Sequence, residues 1–335
     1  MDKTKVSLGH GSGGKLTRDL ISDIFTSRLD NSYLRPLGDS AVLPGMANGI
    51  AFSTDSFVVN PLFFPGGDIG KLAVAGTVND LAVQGSIPRF LSLGVILEEG
   101  FPLDSLEKIV DSVASEANKA GVSVVTGDTK VVEKGKGDGV FLNTAGVGEM
   151  VPGFPSSSAP VEGDAVLLSG SVGDHGAVIM SLQSGIDLRS DLHSDCAVIA
   201  HLTTALREAN VCVKTMRDPT RGGLAAVLNE WADEAGLCIE ADETAIPLKP
   251  AVVGIADLLG VDPLQLACEG RMVALVSAAD AEKAVHTLRG CPGGAEACMV
   301  GRVSKGPAGR VVLVTGFGGR RILDMPLSDP LPRIC

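Results

Sequence analysis

Apolar positions along the chain follow two periods, and the change from one to the other marks out its elements. Short β-rich runs such as Ala51-Phe-Ser-Thr54 and Leu91-Ser-Leu-Gly-Val-Ile-Leu97 alternate with segments of helical period. The clearest helix is predicted over 104–120. Leu106, Ile109, Val110, Val113, Ala114 and Ala117 keep one face apolar, Asp104 can cap the start with Glu107 at capping-box spacing, and Gly121 can end it. From Ile69 to Val83 the chain is apolar almost all round, the mark of a buried helix. Further on, 164–169, 272–276 and 310–314 predict buried strands, with helices between them near 195–209, 222–235 and 280–289.

The pattern breaks at Val151-Pro-Gly-Phe-Pro-Ser-Ser-Ser-Ala-Pro-Val-Glu162, which has turn and linker chemistry. The expected organisation is a domain over 1–150, a linker over 151–162, a second domain over 163–325 and a mobile tail over 326–335. Both halves read as mixed helix and strand, without a short repeat.

Composition supports a large core: 335 residues with 45% hydrophobic content. The start lacks an apolar leader, and no apolar run approaches the roughly 18 residues a bilayer requires, so a cytoplasmic location without a membrane partner is expected. The 7 cysteines are odd in number and form no CxxC pair, which argues against a disulfide scaffold and a zinc site. The net charge of −12 disfavours nucleic acid, and an anionic ligand would need a cation as intermediary.

Candidate chemistry concentrates where Gly meets Asp. Gly9-His-Gly-Ser-Gly-Gly-Lys15 precedes a helical pattern, so Gly11, Gly13, Gly14 and Lys15 could cradle phosphate. It departs from a P-loop at Leu16, where a hydroxyl should follow the lysine. Asp39, Asp55, Asp80 and Asp128 lie at turns or in apolar surroundings, and Asp80 with Asn79 interrupts the buried helix. A buried carboxylate needs a partner or a metal; the alternative for each is a helix cap or an Asx-turn. Arg217-Asp218-Pro-Thr-Arg221-Gly222-Gly223 opens another helix, where Asp218 could bind a cation and Arg221 a phosphate. Glu269, beside Arg271, could be a general base or an ion-pair partner. His175, in its Gly-Asp-His-Gly setting, could belong to a helix-start turn or be catalytic, and the structural reading is preferred. The last residue, Cys335, ends a tail spaced by Pro326, Pro330 and Pro332. Extended at ~3.1 Å per residue, that tail could carry a thiol roughly 30 Å.

Taken in order, His10-Gly-Ser-Gly-Gly-Lys15, Thr54-Asp55-Ser-Phe, Val78-Asn79-Asp80-Leu-Ala, Val125-Thr-Gly-Asp128-Thr-Lys130, Gly173-Asp-His-Gly176, Met216-Arg-Asp218-Pro-Thr-Arg-Gly-Gly223, Cys268-Glu269-Gly-Arg271 and Pro332-Arg-Ile-Cys335 resemble the HypE family of hydrogenase maturation factors. That family falls in the PurM-like (aminoimidazole ribonucleotide synthetase) superfamily. The likeness spans nearly the whole chain. It implies a two-domain PurM-like fold, α/β then α+β, whose N-terminal sheet joins its twin in a homodimer. It also implies an ATP- and Mg2+-dependent dehydration of a carbamoyl group on Cys335 to a thiocyanate. The donor would be a HypF-like carbamoyltransferase and the acceptor a HypC–HypD-like iron-carrying complex. By motif match, Lys130 and Glu269 would act on the carbamoyl group, Asp55, Asp80, Asp128 and Asp218 would hold metal, and Asp39, Asn79, Arg221, Gly222, Gly223, Lys15 and its glycines would hold nucleotide. A small-molecule kinase or synthetase of the same superfamily would use the same aspartates but leave Cys335 idle. A non-catalytic scaffold would use only the tail.

Overall fold

The computed structural model describes residues 4–12, 14–38, 40–186, 191–326 and 333–335. In chain order the strands are β1 (Ile50–Phe57), β2 (Phe63–Phe64), β3 (Gly67–Asp68), β4 (Ser86–Glu98), β5 (Ser123–Val132), β6 (Val140–Met150), β7 (Ala165–Leu168), β8 (Val213–Arg217), β9 (Cys238–Asp242), β10 (Val273–Val276), β11 (Cys298–Ser304), β12 (Arg310–Val314) and β13 (Arg320–Leu323). The helices are α1 (Lys15–Leu20), α2 (Ser27–Leu29), α3 (Ile69–Val83), α4 (Leu103–Ala120), α5 (Asp174–Gln183), α6 (Ala200–Glu208), α7 (Gly223–Ala235), α8 (Pro250–Leu259) and α9 (Ala281–Arg289). No helix among the described residues is long and apolar enough to cross a membrane.

The first sheet runs β1-β6-β4-β5, with only β4 and β5 parallel. One face is covered by α3, whose apolar sequence is explained by burial on all sides. Asp68 starts α3, its Oδ1 accepting from the backbone N–H of Gly70 at 2.7 Å and Lys71 at 3.1 Å. The described residues leave most of the opposite face uncovered, apart from the Phe90 end, where Tyr33 packs edge-to-face. Register places Phe52, Ser56, Asn143, Ile96, Asp128 and Lys130 on it, and Ile50, Phe52 and Ile96 are exposed.

The second sheet is seven-stranded, β13-β12-β9-β11-β7-β10-β8, with β12 parallel to β9. Its central strands are buried on both faces: Val166, Leu168, Val273 and Leu275 pack towards α7, and Ala165, Leu167, Ala274 and Val276 towards α6 and α9. That two-sided burial is why these strands read as continuous apolar runs. Helices α5 and α8 leave this sheet and share a core with the first half, which Ile334 also enters.

Two boundaries differ from the sequence reading for a physical reason. Helix α4 starts at Leu103, with Pro102 before it, because Leu103 N–H bonds Thr4 O at 2.9 Å; Asp104 falls inside the first turn, and Gly121 ends the helix in the left-handed region at φ 67°. Helix α6 starts only at Ala200, since Ser194–Ile199 is held out of helix by distant partners such as Asn79, which accepts from Ile199 N–H at 2.9 Å.

Candidate active site

Strand β1 and helix α3 present their carboxylates to the same place because each carries its acid opposite a hydroxyl of the other. Thr77 of α3 donates to Asp55 Oδ2 at 2.9 Å, and Ser53 of β1 donates to Asp80 Oδ2 at 2.6 Å. Thr77 and Asp80 stand one helical turn apart, on the same face. The segment before α7 then brings Asp218 and Arg221, and the approach to β10 brings Glu269. Together with Thr54, Ser56, Thr220, Arg333, Ile334 and Cys335 they line a cleft of about 470 Å³, within the ordinary range for small-molecule sites.

The acids in this cleft oppose one another's charge. Burial, then Asp80, pushes the Asp55 carboxyl up. Burial, with Asp80 next, raises Asp218 to about 7. Burial holds Glu269 well above the usual range, reinforced by Asp218, Asp195, Asp55 and Asp80. Glu269 is 2% exposed, and its Oε1 has no hydrogen-bond partner among the described residues. Such an arrangement fits cationic company. Among the described residues no three His, Cys, Asp or Glu side chains could cage an ion alone. Magnesium is ordinarily held by one or two carboxylates with phosphate oxygens and water completing its shell, so the donor set suits a cation shared with a nucleotide.

The raised Asp218 carries a stability consequence. Its folded value lies above the unfolded value of 3.8, so between those values the folded chain keeps a proton that the unfolded chain has lost. The resulting stabilisation is fully present below the unfolded value and is lost as pH rises through about 7. The metal-free protein is therefore expected to gain up to a few kcal/mol between about pH 8 and pH 5 from this group. Urea midpoints across that range should show the gain, and Asp218→Asn should reduce it and raise the midpoint at the alkaline end. An unchanged pH slope in the variant would refute the assignment.

Other predicted residues lie elsewhere. Asn79 is buried between the halves, its amide donating to Ala197 O at 3.0 Å and Glu269 O at 3.3 Å, so it fixes the backbone beneath Glu269. Gly222 and Gly223 adopt φ of 75° and 59° at the start of α7. A Cβ on Gly223 would meet the Leu264 and Leu266 carbonyls at 2.6 Å, so the tight turn that presents Arg221 requires glycine there. Asp128 and Lys130 are not in the cleft. They form an exposed ion pair at 2.8 Å on β5, at the far edge of the sheet from β1 and on the uncovered face. Gly11 packs against Val131 of that strand, and Gly14 and Lys15 are exposed at the start of α1. Gly13 and Asp39 lie outside the described residues, as does the tail from 327 to 332.

The last three residues are docked. Asn60 N–H donates to Arg333 O at 3.3 Å and Val58 N–H to Cys335 O at 3.0 Å, extending β1 with a short antiparallel pairing. Arg333 bonds Val58 O at 2.8 Å, pairs with Asp138 and lies over the Phe141 ring. Ile334 is 2% exposed, its carbonyl hydrogen-bonded to His175. Periodicity could not signal these contacts, although Thr77 was findable as a hydroxyl one turn before Asp80 in an apolar helix.

Comparisons with known proteins agree over nearly the whole chain. Residues 37–150 match the model of the AIR synthase related protein, N-terminal domain, and residues 161–314 that of its C-terminal domain. The chain is 48% identical to the carbamoyl dehydratase HypE of Rhodobacter capsulatus, over 99% of its own length and 98% of that relative's. Its fold matches a crystal structure of the hydrogenase maturation protein HypE in complex with ATP, with a TM-score of 0.93 and 44% identity over 98% of this chain and 99% of that one. It also matches a chain in the crystal structure of a HypE–HypF complex, with a TM-score of 0.79 and 43% identity over 93% of this chain and 100% of that one.

Proposed function

Because the chain belongs to the AIR synthase related family and, within it, to the HypE carbamoyl dehydratases, we propose that it uses ATP to convert an S-carbamoyl group on Cys335 into a thiocyanate, the source of cyanide for a hydrogenase iron centre. The observation that carries this reading is the terminal cysteine itself, docked in a cleft lined by Asp55, Asp80, Asp218, Arg221 and Glu269. A small-molecule kinase would need the acids but not the cysteine.

The chemistry balances. A carbamoyl oxygen is a poor leaving group; transfer of the terminal phosphoryl group of ATP to it lets that oxygen depart as phosphate. The two N–H protons are lost and S–C≡N remains, with ADP as the other product. Arg221 would hold phosphate by its guanidinium fork. Glu269, buried and of raised basicity, would take an N–H proton. Asp55, Asp80 and Asp218 would hold magnesium, which when bound offsets charge between these acids and the phosphates.

Lys130, Asp128 and the glycine-rich Gly11–Lys15 segment complete the set through a second copy. A homodimer formed across the uncovered sheet face would cover Ile50, Phe52 and Ile96. It would also bring Lys130 and Asp128 of one copy towards the β1 edge of the other, where Lys130 would orient the carbamoyl group. A HypF-like carbamoyltransferase is the donor, and a HypC–HypD-like iron carrier the acceptor. That none of the seven cysteines forms a disulfide suits the cytoplasm.

The test follows the mass of the C-terminal peptide during incubation with a carbamoyl donor system and Mg-ATP. Addition of one carbamoyl group and then loss of one water, with ATP consumed in step and none consumed after chelation, is the expected outcome. ATP turnover that ignores the carbamoyl donor would replace this reading with that of a kinase.

A further inference from the structure

His175 is fully buried at the start of α5, yet one of its ring nitrogens reaches across to the tip of the tail. Nε2 lies 2.8 Å from Ile334 O, and Nδ1 lies 2.8 Å from Ser194 Oγ. The partners dictate the protons. A carbonyl oxygen can only accept, so Nε2 carries hydrogen. Burial pushes the ring towards its neutral form, so Nδ1 is bare and accepts from the Ser194 hydroxyl. Ser194 Oγ in turn accepts from Cys196 N–H at 3.0 Å. Every hydrogen bond in this chain has one direction, from Cys196 through Ser194 and His175 to Ile334. The ring plane is fixed as well, by edge-to-face packing on Phe64 with centroids 5.3 Å apart.

The same segment ties this ring to Glu269. Asp195 accepts from His175 N–H through Oδ1 and from Gly270 N–H through Oδ2, both at 3.0 Å. Gly270 follows Glu269 and fits because a Cβ there would collide with Asp195 O. One buried carboxylate therefore sets the backbone that carries the ring and the backbone that carries Glu269.

We infer that His175 is a positioning residue: held in one tautomer by Ser194, it clamps the Ile334 carbonyl and so sets where the Cys335 sulfur stands relative to Glu269. The inference rests on the proposed reading of Cys335 as the carrier. The tail tip's hydrogen bonds to Val58, Asn60, Asp138 and Gln183 involve half-buried or exposed partners, for which solvent competes. The His175 bond is buried. Ring and serine therefore tune how readily the tail leaves for its partners.

Thiol access tests this on the full chain without ATP or a carbamoyl donor, so its failure is separate from failure of the dehydratase reading. A bulky maleimide is added, and labelling of each cysteine is followed by peptide mass. Loss of one buried hydrogen bond is expected to speed labelling of Cys335 about fivefold to tenfold in His175→Phe. His175→Gln, whose amide can donate to Ile334 O and accept from Ser194, should restore the wild-type rate to within about threefold. Ser194→Ala frees the ring to take the wrong tautomer and should behave like His175→Phe. Buried Cys238 and Cys268 report the fold, because they are labelled only if it opens. Wild-type labelling of Cys335 in His175→Phe, with those two shielded, would overturn the inference. If His175→Phe opens the fold, Ser194→Ala decides by the same criterion.

Discussion

Cys335→Ala is expected to abolish product formation, lowering donor-dependent ATP turnover by at least about three orders of magnitude while nucleotide binding stays within a few-fold of wild type. The loss should be this large because the sulfur is the atom to which the reacting carbon is attached, and no neighbouring thiol can stand in for it. Cys196 and Cys268 are buried, and burial pushes both thiols well above their usual range, so neither offers a thiolate. Cys238 is buried as well, and Cys212, Cys291 and Cys298 do not line the cleft. Peptide mass after incubation with the carbamoyl donor and Mg-ATP reads the first effect directly, and nucleotide titration reads the second. Donor-dependent turnover that persists in the variant would place the carbamoyl group on another residue or a free substrate.

Glu269→Gln is expected to slow dehydration by about 10²- to 10⁴-fold, with the carbamoylated tail accumulating. Glutamine keeps the volume and leaves the local backbone undisturbed, since Glu269 O accepts from Ala197 N–H and from Asn79. What it removes is a proton acceptor. In the metal-free cleft burial, and then Asp218, Asp195, Asp55 and Asp80, push the Glu269 carboxyl well above the usual range. Cations entering with nucleotide would offset that repulsion and free the carboxylate to act, with a basicity still suited to an N–H proton. Single-turnover mass measurement separates the steps: loading should remain near wild type while water loss fails. Dehydration at the wild-type rate in the variant would assign proton removal to another group, with Lys130 the first to examine.

Much of the fold was legible because burial leaves a local trace. Helix α3 is apolar all round and is covered all round, and the central strands of the second sheet are unbroken apolar runs with both faces packed. Glycine marked the left-handed ends of helices α4 and α7, at Gly121 and Gly236. Helix starts were harder to read. Asp104 has the residue type and spacing of a cap, yet Thr4 from the chain's beginning supplies the acceptor that sets Leu103 at the start of α4. Likewise Ser194–Ile199 carries helical periodicity but is engaged by His175, Asn79 and Gly270, each distant in sequence.

The candidate site divides along the same line. By itself the sequence determined which residue types carry the chemistry, because an Asp80 within an otherwise apolar helix, an Arg-Gly-Gly turn at a helix start and a terminal thiol each conflict with a purely structural reading. Only the tertiary structure decided which of them meet. Asp55, Asp80, Asp218, Arg221, Glu269 and Cys335 share one cleft, whereas Asp128 and Lys130 stand on the opposite sheet face. It also showed the tail tip docked through a histidine 159 positions away. The reason is that a side chain's type and spacing fix what it can do, whereas its partners are fixed by packing among segments that no local pattern records.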